Sequence, residues 1–273
     1  MTARLRFTIL GCGSSSGVPR ANGDWGACNI AERKNRRYRS SLLIERMTMH
    51  GKTTVVIDTG PDFRNQMISA GICDLDAVLY THCHADHTNG IDDLRPFVLS
   101  RSKLMDVYAD EATLRHLYQR FGYCFKKTRK NLGYLPILQA NKIDTANSFS
   151  VTGNGGTIVF QPHLQIHGNI HSLGFRIDNV AYCTDVSAFP DNEEITKKLD
   201  QLDVLIIEAL QYNTHPSHCS LEQALHWIKV LAPQHAILTS MHILLDYCTV
   251  LNETPENVEP AYDGMHFECN PTE

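Results

Sequence analysis

No apolar run in the chain reaches the roughly 18 residues needed to cross a bilayer, and the opening Met-Thr-Ala-Arg-Leu-Arg-Phe lacks the apolar stretch of a secretory leader. There is no Cys-x-x-Cys pair, which argues against a four-thiolate zinc site. The nine cysteines, at 12, 28, 73, 83, 124, 183, 219, 248 and 269, are odd in number and scattered, so a disulfide framework is not expected. The expectation is a cytoplasmic protein without membrane contact. Surplus positive charge is missing too. The formal net charge of -5 gives no electrostatic reason for nonspecific nucleic-acid binding. Low-complexity linkers and short-period repeats are absent. One domain over residues 1–273 is therefore expected, and its 42% apolar content is ordinary for a chain that buries a full core.

Histidine is what the chain has in plenty, fourteen in all. Short β-rich runs recur at Leu5–Leu10, Ser41–Glu45, Thr54–Asp58, Ala77–Thr81, Asp106–Tyr108 and Thr157–Phe160. They continue at Gly174–Ile177, Val180–Cys183, Val204–Glu208, Ala236–Thr239 and Met265–Glu268. Asp110 can cap a helix burying Leu114, Leu117, Tyr118 and Phe121. Ser220 with Gln223 reads as a capping box opening a helix that buries Leu221, Ala224, Leu225, Ile228 and Leu231. Strands outnumber helices, which suits a layered α/β architecture with mixed sheets. The polar segment Lys126–Asn154 reads as a loop between two halves.

The chemistry gathers at Thr81-His82-Cys83-His84-Ala85-Asp86-His87, directly after the apolar Ala77–Tyr80. Histidines at i and i+2 on extended backbone point the same way, and Asp86 and His87 follow where the chain must turn toward a second ion. A lone histidine here would read as an exposed loop residue. Four ligand-type side chains in six residues do not, because burying them unpartnered costs on the order of 2 kcal/mol per polar group.

His-x-His-x-Asp-His after an apolar strand resembles the metal-binding motif of the metallo-β-lactamase superfamily. The resemblance covers nearly the whole chain. It extends to Asp58 before Gly60, to His167 in "IHGNIHSLGFR", to Asp185 in "VAYCTDVS" and to the closing "YDGM". It implies an αββα four-layer sandwich, two mixed β-sheets flanked by helices, with two divalent ions, Zn or Mn, between the sheet edges. The implied ligands are His82, His84 and His167 for one ion and Asp86, His87 and His242 for the other, with Asp185 bridging. Relatives often carry a histidine directly after Leu-Thr. Here Ser240 follows Leu238-Thr239, and His242 is expected to reach the same side on extended backbone. His163 and His171 compete with His167.

Two such ions roughly 3.5–4 Å apart lower the pKa of water to about 7 and share a hydroxide. Asp86, Asp185 and that hydroxide return three negative charges against four positive ones, so the site should stay positive and draw in a phosphodiester. "THPSHCSL" adds His215 and His218 ahead of the Ser220 helix. That pattern, with Gly17-Val18-Pro19, resembles the phosphodiesterase subgroup that includes the enzyme opening phosphoribosyl 1,2-cyclic phosphate. His218 and Asp86 are then the catalytic residues, with His218 assisting the leaving group; the plain alternative is an exposed cap for the helix. The partner expected is a small phosphorylated substrate or nucleotide, and a homodimer remains open.

Gly11-x-Gly13-x-x-x-Gly17 misses the dinucleotide spacing and is followed by Pro19, so a Rossmann reading is rejected. Its small residues suit a tight turn near the cleft, with Ser14 to Ser16 set to touch substrate. Cys28 stands alone where that subgroup clusters cysteines around a structural zinc, which a single thiolate cannot build. The basic run Arg33–Arg39 reads as a solvated face, with Arg36 or Arg37 as the alternative phosphate contact; Lys126, Lys127, Arg129 and Lys130 read the same way. A tRNA 3′-end-processing endonuclease, a glyoxalase-type thioester hydrolase and a nucleotide-binding protein with a decayed site are the competing functions.

Overall fold

Strand-end histidines and acids can meet only if two sheets bring their edges together. A computed structural model, which describes residues 3–127 and 135–271, has two seven-stranded sheets among those residues. The first runs in the order β14 (His266–Cys269), β1 (Arg4–Gly11), β2 (Ser41–Thr48), β3 (Gly51–Ile57), β4 (Ala77–Leu79), β5 (Met105–Ala109), β6 (Leu138–Lys142). The second runs β13 (Val258–Pro260), β12 (His235–Thr239), β11 (Val204–Glu208), β10 (Val180–Cys183), β9 (Ile170–Ile177), β8 (Gly156–His167), β7 (Phe149–Gly153). Both are mixed. β14 to β3 and β7 to β10 pair antiparallel, while β3 to β6 and β10 to β13 pair parallel.

Side-chain alternation sorts each strand between two cores. Val55 and Ile57 join Phe7, Leu42, Phe160, Phe175 and Ile206 in the layer between the sheets. Val56 faces the other way, with Leu43 and Val78, onto Phe63 and Met67 of α1 (Phe63–Ala70). The parallel strands are buried on both faces, which is why they read as continuous apolar runs. Short helices α2 (Ala85–Thr88) and α3 (Arg95–Arg101) lead to α4 (Glu111–Phe125), capped by Asp110 as expected. Of the residues expected to be buried along it, Leu114 and Leu117 are; Tyr118 is exposed, and Phe121 sits at a break from helical geometry. After α5 (Asn192–Lys198) comes α6 (Leu221–Leu231), opened by the Ser220–Gln223 capping box and laid against β11, and α7 (Tyr247–Glu253) follows.

The loop expected over Lys126–Asn154 is corrected, because β6 and β7 lie inside it at the two sheet edges. An edge strand has one partner and much exposure, so Leu138-Gln-Ala-Asn-Lys142 needs no apolar run. Lys126 and Lys127 are exposed; Arg129 and Lys130 lie outside the described residues. The solvated reading of the first basic run fails at Arg37, which is 2% exposed and donates to the carbonyl oxygens of Leu245 and His242 and to Asn35 Oδ1. Its expected alternative role as a phosphate contact is occupied by these bonds. Cys28 is buried against Val18 and Ile243. Among the described residues no helix is long and apolar enough to cross a membrane.

Candidate metal centre

Four strands deliver polar residues to one end of the sandwich. β4 runs into Thr81 and His82, β8 ends on His167, β10 runs into Thr184 and Asp185, and β11 ends on Glu208. His82, His84 and His167 have ligand atoms within 4.8 Å of one another; so do His82, His87 and Asp185, and so do His167, Asp185 and His218. Asp86 joins through His87, whose Nε2 is 3.3 Å from Asp86 Oδ2 and 3.1 Å from Asp185 Oδ2. Asp185 Oδ1 faces the other side, 3.9 Å from His82 Nε2 and 3.7 Å from His167 Nε2. Asp185 takes a positive φ of 53°, which turns its carboxylate off the end of the strand into the cluster.

The residues behind the cluster orient it. His87 Nδ1 lies 2.7 Å from buried Asp58, which also accepts the backbone N–H and hydroxyl of Thr81 at 2.8 Å each. The Thr81 hydroxyl therefore accepts from His82 Nδ1, 3.0 Å away, and the Ser217 carbonyl accepts from His167 Nδ1 at 2.7 Å. In all three rings Nε2 is the nitrogen turned inward, the arrangement that fits a metal once His87 gives up its proton. His82 Nε2 is buried without any hydrogen-bond partner, and His167 Nε2 meets His84 Nδ1 at 3.3 Å.

Electrostatics points the same way. Burial alone would keep His87 neutral, but Asp185, Asp86 and Asp58 drive its pKa well above the imidazole range. Burial holds His82 well below that range and lowers His167. Burial would raise the Asp185 carboxyl, yet His87, His82 and His167 hold it well below the usual value. A buried nest of carboxylates that forces a proton onto its nearest imidazole is a site that calls for positive charge. The residues fit divalent cations.

Of the expected ligands, the structure brings together His82, His84, Asp86, His87, His167 and Asp185. His242 is not brought in. Ser240 has φ of 56°, so the backbone does not stay extended and the two-residue alternation is lost. The His242 ring turns to the Arg20 guanidinium instead. Of the competitors to His167, His163 is buried beside Cys183, with burial pushing its pKa down to about 3, and His171 is exposed. Ser14 is buried, its hydroxyl without a hydrogen-bond partner, and Ser15 is exposed.

His218 lies at the cluster's open side, its ring centroid 4.7 Å from that of His167 and its Nδ1 2.6 Å from Glu208 Oε1. Burial works to lower its pKa, but the Glu208 bond and charge, with Asp185 behind, carry it up to about 9. Burial in turn pushes Glu208 up to about 7 against the pull of His218. Glu208 was missed in the sequence. Its signal is an acid ending the apolar Val204–Ile207, the same pattern that marks Asp58.

A family model described as the β-lactamase superfamily domain matches residues 53–243. Among solved structures, the chain is similar to a diphosphatase from the PhnP family, with 31% identity, TM-score 0.86 and 98% of both chains covered. Zn(2+)-bound PqqB from Methylobacterium extorquens has 15% identity and TM-score 0.74, with 96% of this chain and 99% of that one covered. The short form of human tRNase Z has 17% identity and TM-score 0.66, with 98% and 100% covered. These two share the fold. Among curated proteins, an octanoyltransferase of Porphyromonas gingivalis is 33% identical over 263 residues, 96% of this chain and 51% of that protein. The chain thus spans about half the length of the curated relative it matches.

Proposed function

The chain belongs to the β-lactamase superfamily and is a metal-dependent hydrolase of the metallo-β-lactamase fold, and from that premise we propose that it is a dinuclear phosphodiesterase. Its substrate is a small cyclic phosphate or nucleotide-like diester. The carrying observation is the imidazole and carboxylate cluster with the His218–Glu208 pair at its open side. His82, His84, His167, Asp86, His87 and Asp185 would hold two divalent ions, Zn or Mn, which when bound would lower the pKa of water and offset charge on phosphoryl oxygens.

The chain's own residues supply the rest. Glu208 accepts from His218 Nδ1 and keeps the ring protonated, so Nε2 can give its proton to the departing oxygen. Four carboxylates surround the centre, Asp58, Asp86, Asp185 and Glu208, twice the number the sequence suggested. They formally cancel two divalent ions, so the expected surplus of positive charge shrinks to the protonated His218 ring, which a shared hydroxide would offset; the phosphoryl group is then met by individual cations and donors, not by net charge. The similar PhnP-family protein is called a diphosphatase, which supports phosphoryl chemistry and adds diphosphate esters to the candidates.

The octanoyltransferase name belongs to a protein about twice as long. Acyl transfer through a thioester needs a thiolate. Burial raises the Cys183 thiol and pushes Cys219 up to about 12, and it also raises Cys83 in the motif itself. The test is turnover by the metal-loaded protein of bis(p-nitrophenyl) phosphate, a ribose cyclic phosphate and a dinucleoside diphosphate, with chelated protein as control. Metal-dependent cleavage of one or more is expected. Turnover of octanoyl thioesters with none of these cleaved overturns the proposal.

A further inference from the structure

The two halves of the cluster are chemically unlike. His82, His84 and His167 form a cradle of three imidazoles, completed by Asp185 Oδ1. The other half holds one imidazole, His87, with two carboxylates, Asp86 and Asp185 through Oδ2. The orphaned Nε2 of His82, on a residue 1% exposed, lies 3.9 Å from Asp185 Oδ1 on the first side, and His82 also stands within reach of His87.

β12 explains why the second half gains no further nitrogen. It lies beside β11 in the parallel part of the sheet, with Glu208 level with Thr239, and it runs off that edge into Ser240. The Ser240 hydroxyl is already engaged, 2.8 Å from Ser40 Oγ and 2.6 Å from Thr184 Oγ1, and Thr184 donates to Asp185 Oδ2 at 2.9 Å. The buried chain Ser40–Ser240–Thr184 thus ends on the oxygen that faces the second half and takes up part of its acceptor capacity. His242 is held by Arg20.

Resting on the dinuclear reading, we infer that the two metal positions are unequal, a tight nitrogen-rich one at His82, His84 and His167 and an exchangeable oxygen-rich one at Asp86 and His87. Three imidazoles suit zinc, whereas two carboxylates with one imidazole suit manganese and leave coordination positions for substrate oxygens. Ser240 sets this difference.

The experiment is metal binding, independent of turnover. Metal-free protein is titrated calorimetrically with zinc and with manganese, and the metal retained through desalting is measured by mass spectrometry. Wild type should keep one zinc per chain and bind a second ion at least about tenfold more weakly, the scale of one lost metal-orienting interaction. Asp86→Asn should lose the weak ion alone, and His84→Ala the tight one. Ser240→His, or the near-isosteric Ser240→Cys if the imidazole does not fit, should narrow the gap about tenfold or more. Two equally tight ions in wild type, or loss of both in Asp86→Asn, overturns the inference and leaves the dinuclear reading standing. No binding of any divalent ion sinks both.

Discussion

Replacing Glu208 by Gln isolates the proton-carrying part of the site. Glu208 is fully buried, with Oε1 2.6 Å from His218 Nδ1 and Oε2 accepting the Val186 N–H at 2.7 Å. The amide has one acceptor oxygen for these two donors, and it carries no charge. His218 sits at about 9, against roughly 6.5 for an ordinary imidazole, a difference worth roughly 3 kcal/mol. The general acid must be protonated, so activity is present below the folded pKa and lost as pH rises through it. Bound cations would lower that limb in wild type and variant alike, so the reading is the gap between the two profiles. In a kcat/KM profile against pH, Glu208→Gln should move the alkaline limb down by about two units. At neutral pH its rate should fall by about 10²–10⁴ on a diester with a poor leaving group. On p-nitrophenyl esters, whose leaving group needs little protonation, the loss should be smaller. An unmoved alkaline limb, or equal losses on both substrates, refutes the assignment of His218 as the acid.

Asp86→Ala removes a half-buried carboxylate beside His87 without touching the core; turnover should be lost while the circular dichroism spectrum and the unfolding midpoint of metal-free protein stay close to wild type. Arg37→Met should cost about 3 kcal/mol in urea unfolding, because the Leu245 and His242 carbonyls lose a charged donor in a buried setting; a loss under 1 kcal/mol counts against that role. Burial pushes Asp263 up to about 7 although it accepts the Tyr38 and Cys12 backbone N–H groups. The folded state therefore keeps a proton that the unfolded chain has released above about 4, and this group makes stability fall as pH rises between those values. The wild-type advantage over Asp263→Asn should shrink across that window by up to about 1.4 kcal/mol per unit, and a constant advantage would show that Asp263 is ionised throughout.

Much of the sandwich was legible because its inner strands are buried on both faces. Val180–Cys183 and Val204–Glu208 were read with the bounds the structure gives them. The edges were not legible. β6 and β7 carry few apolar residues because one partner and one covered face suffice there. β8 was read only over Thr157–Phe160 and runs on to His167, because beyond Phe160 its buried residues are Pro162, His163, Gln165 and His167, polar except for the proline. Hydropathy cannot recognise a strand whose inward face serves a polar site. That inversion is itself the signal, since buried histidine and glutamine on a strand mark the edge where chemistry sits.

Within the site, residue types were legible and partnerships were not. The spacing of His82, His84, Asp86 and His87 carries their convergence, because a strand end followed at once by α2 leaves little choice of direction. His242 failed on the same rule of alternation that served His82 and His84. The rule needs extended backbone, and Ser240, in the left-handed region, breaks it before His242 is reached. A serine accepted there can do what an imidazole cannot. It fills a buried position among Ser40 and Thr184 and ties the carboxylate of Asp185 to a chain of hydroxyls. The departure at one residue thus leaves the fold and the first set of imidazoles as they are; on the inference of unequal positions its effect would fall on the oxygen-rich one, weakening the hold on an ion there and leaving more of its coordination to substrate.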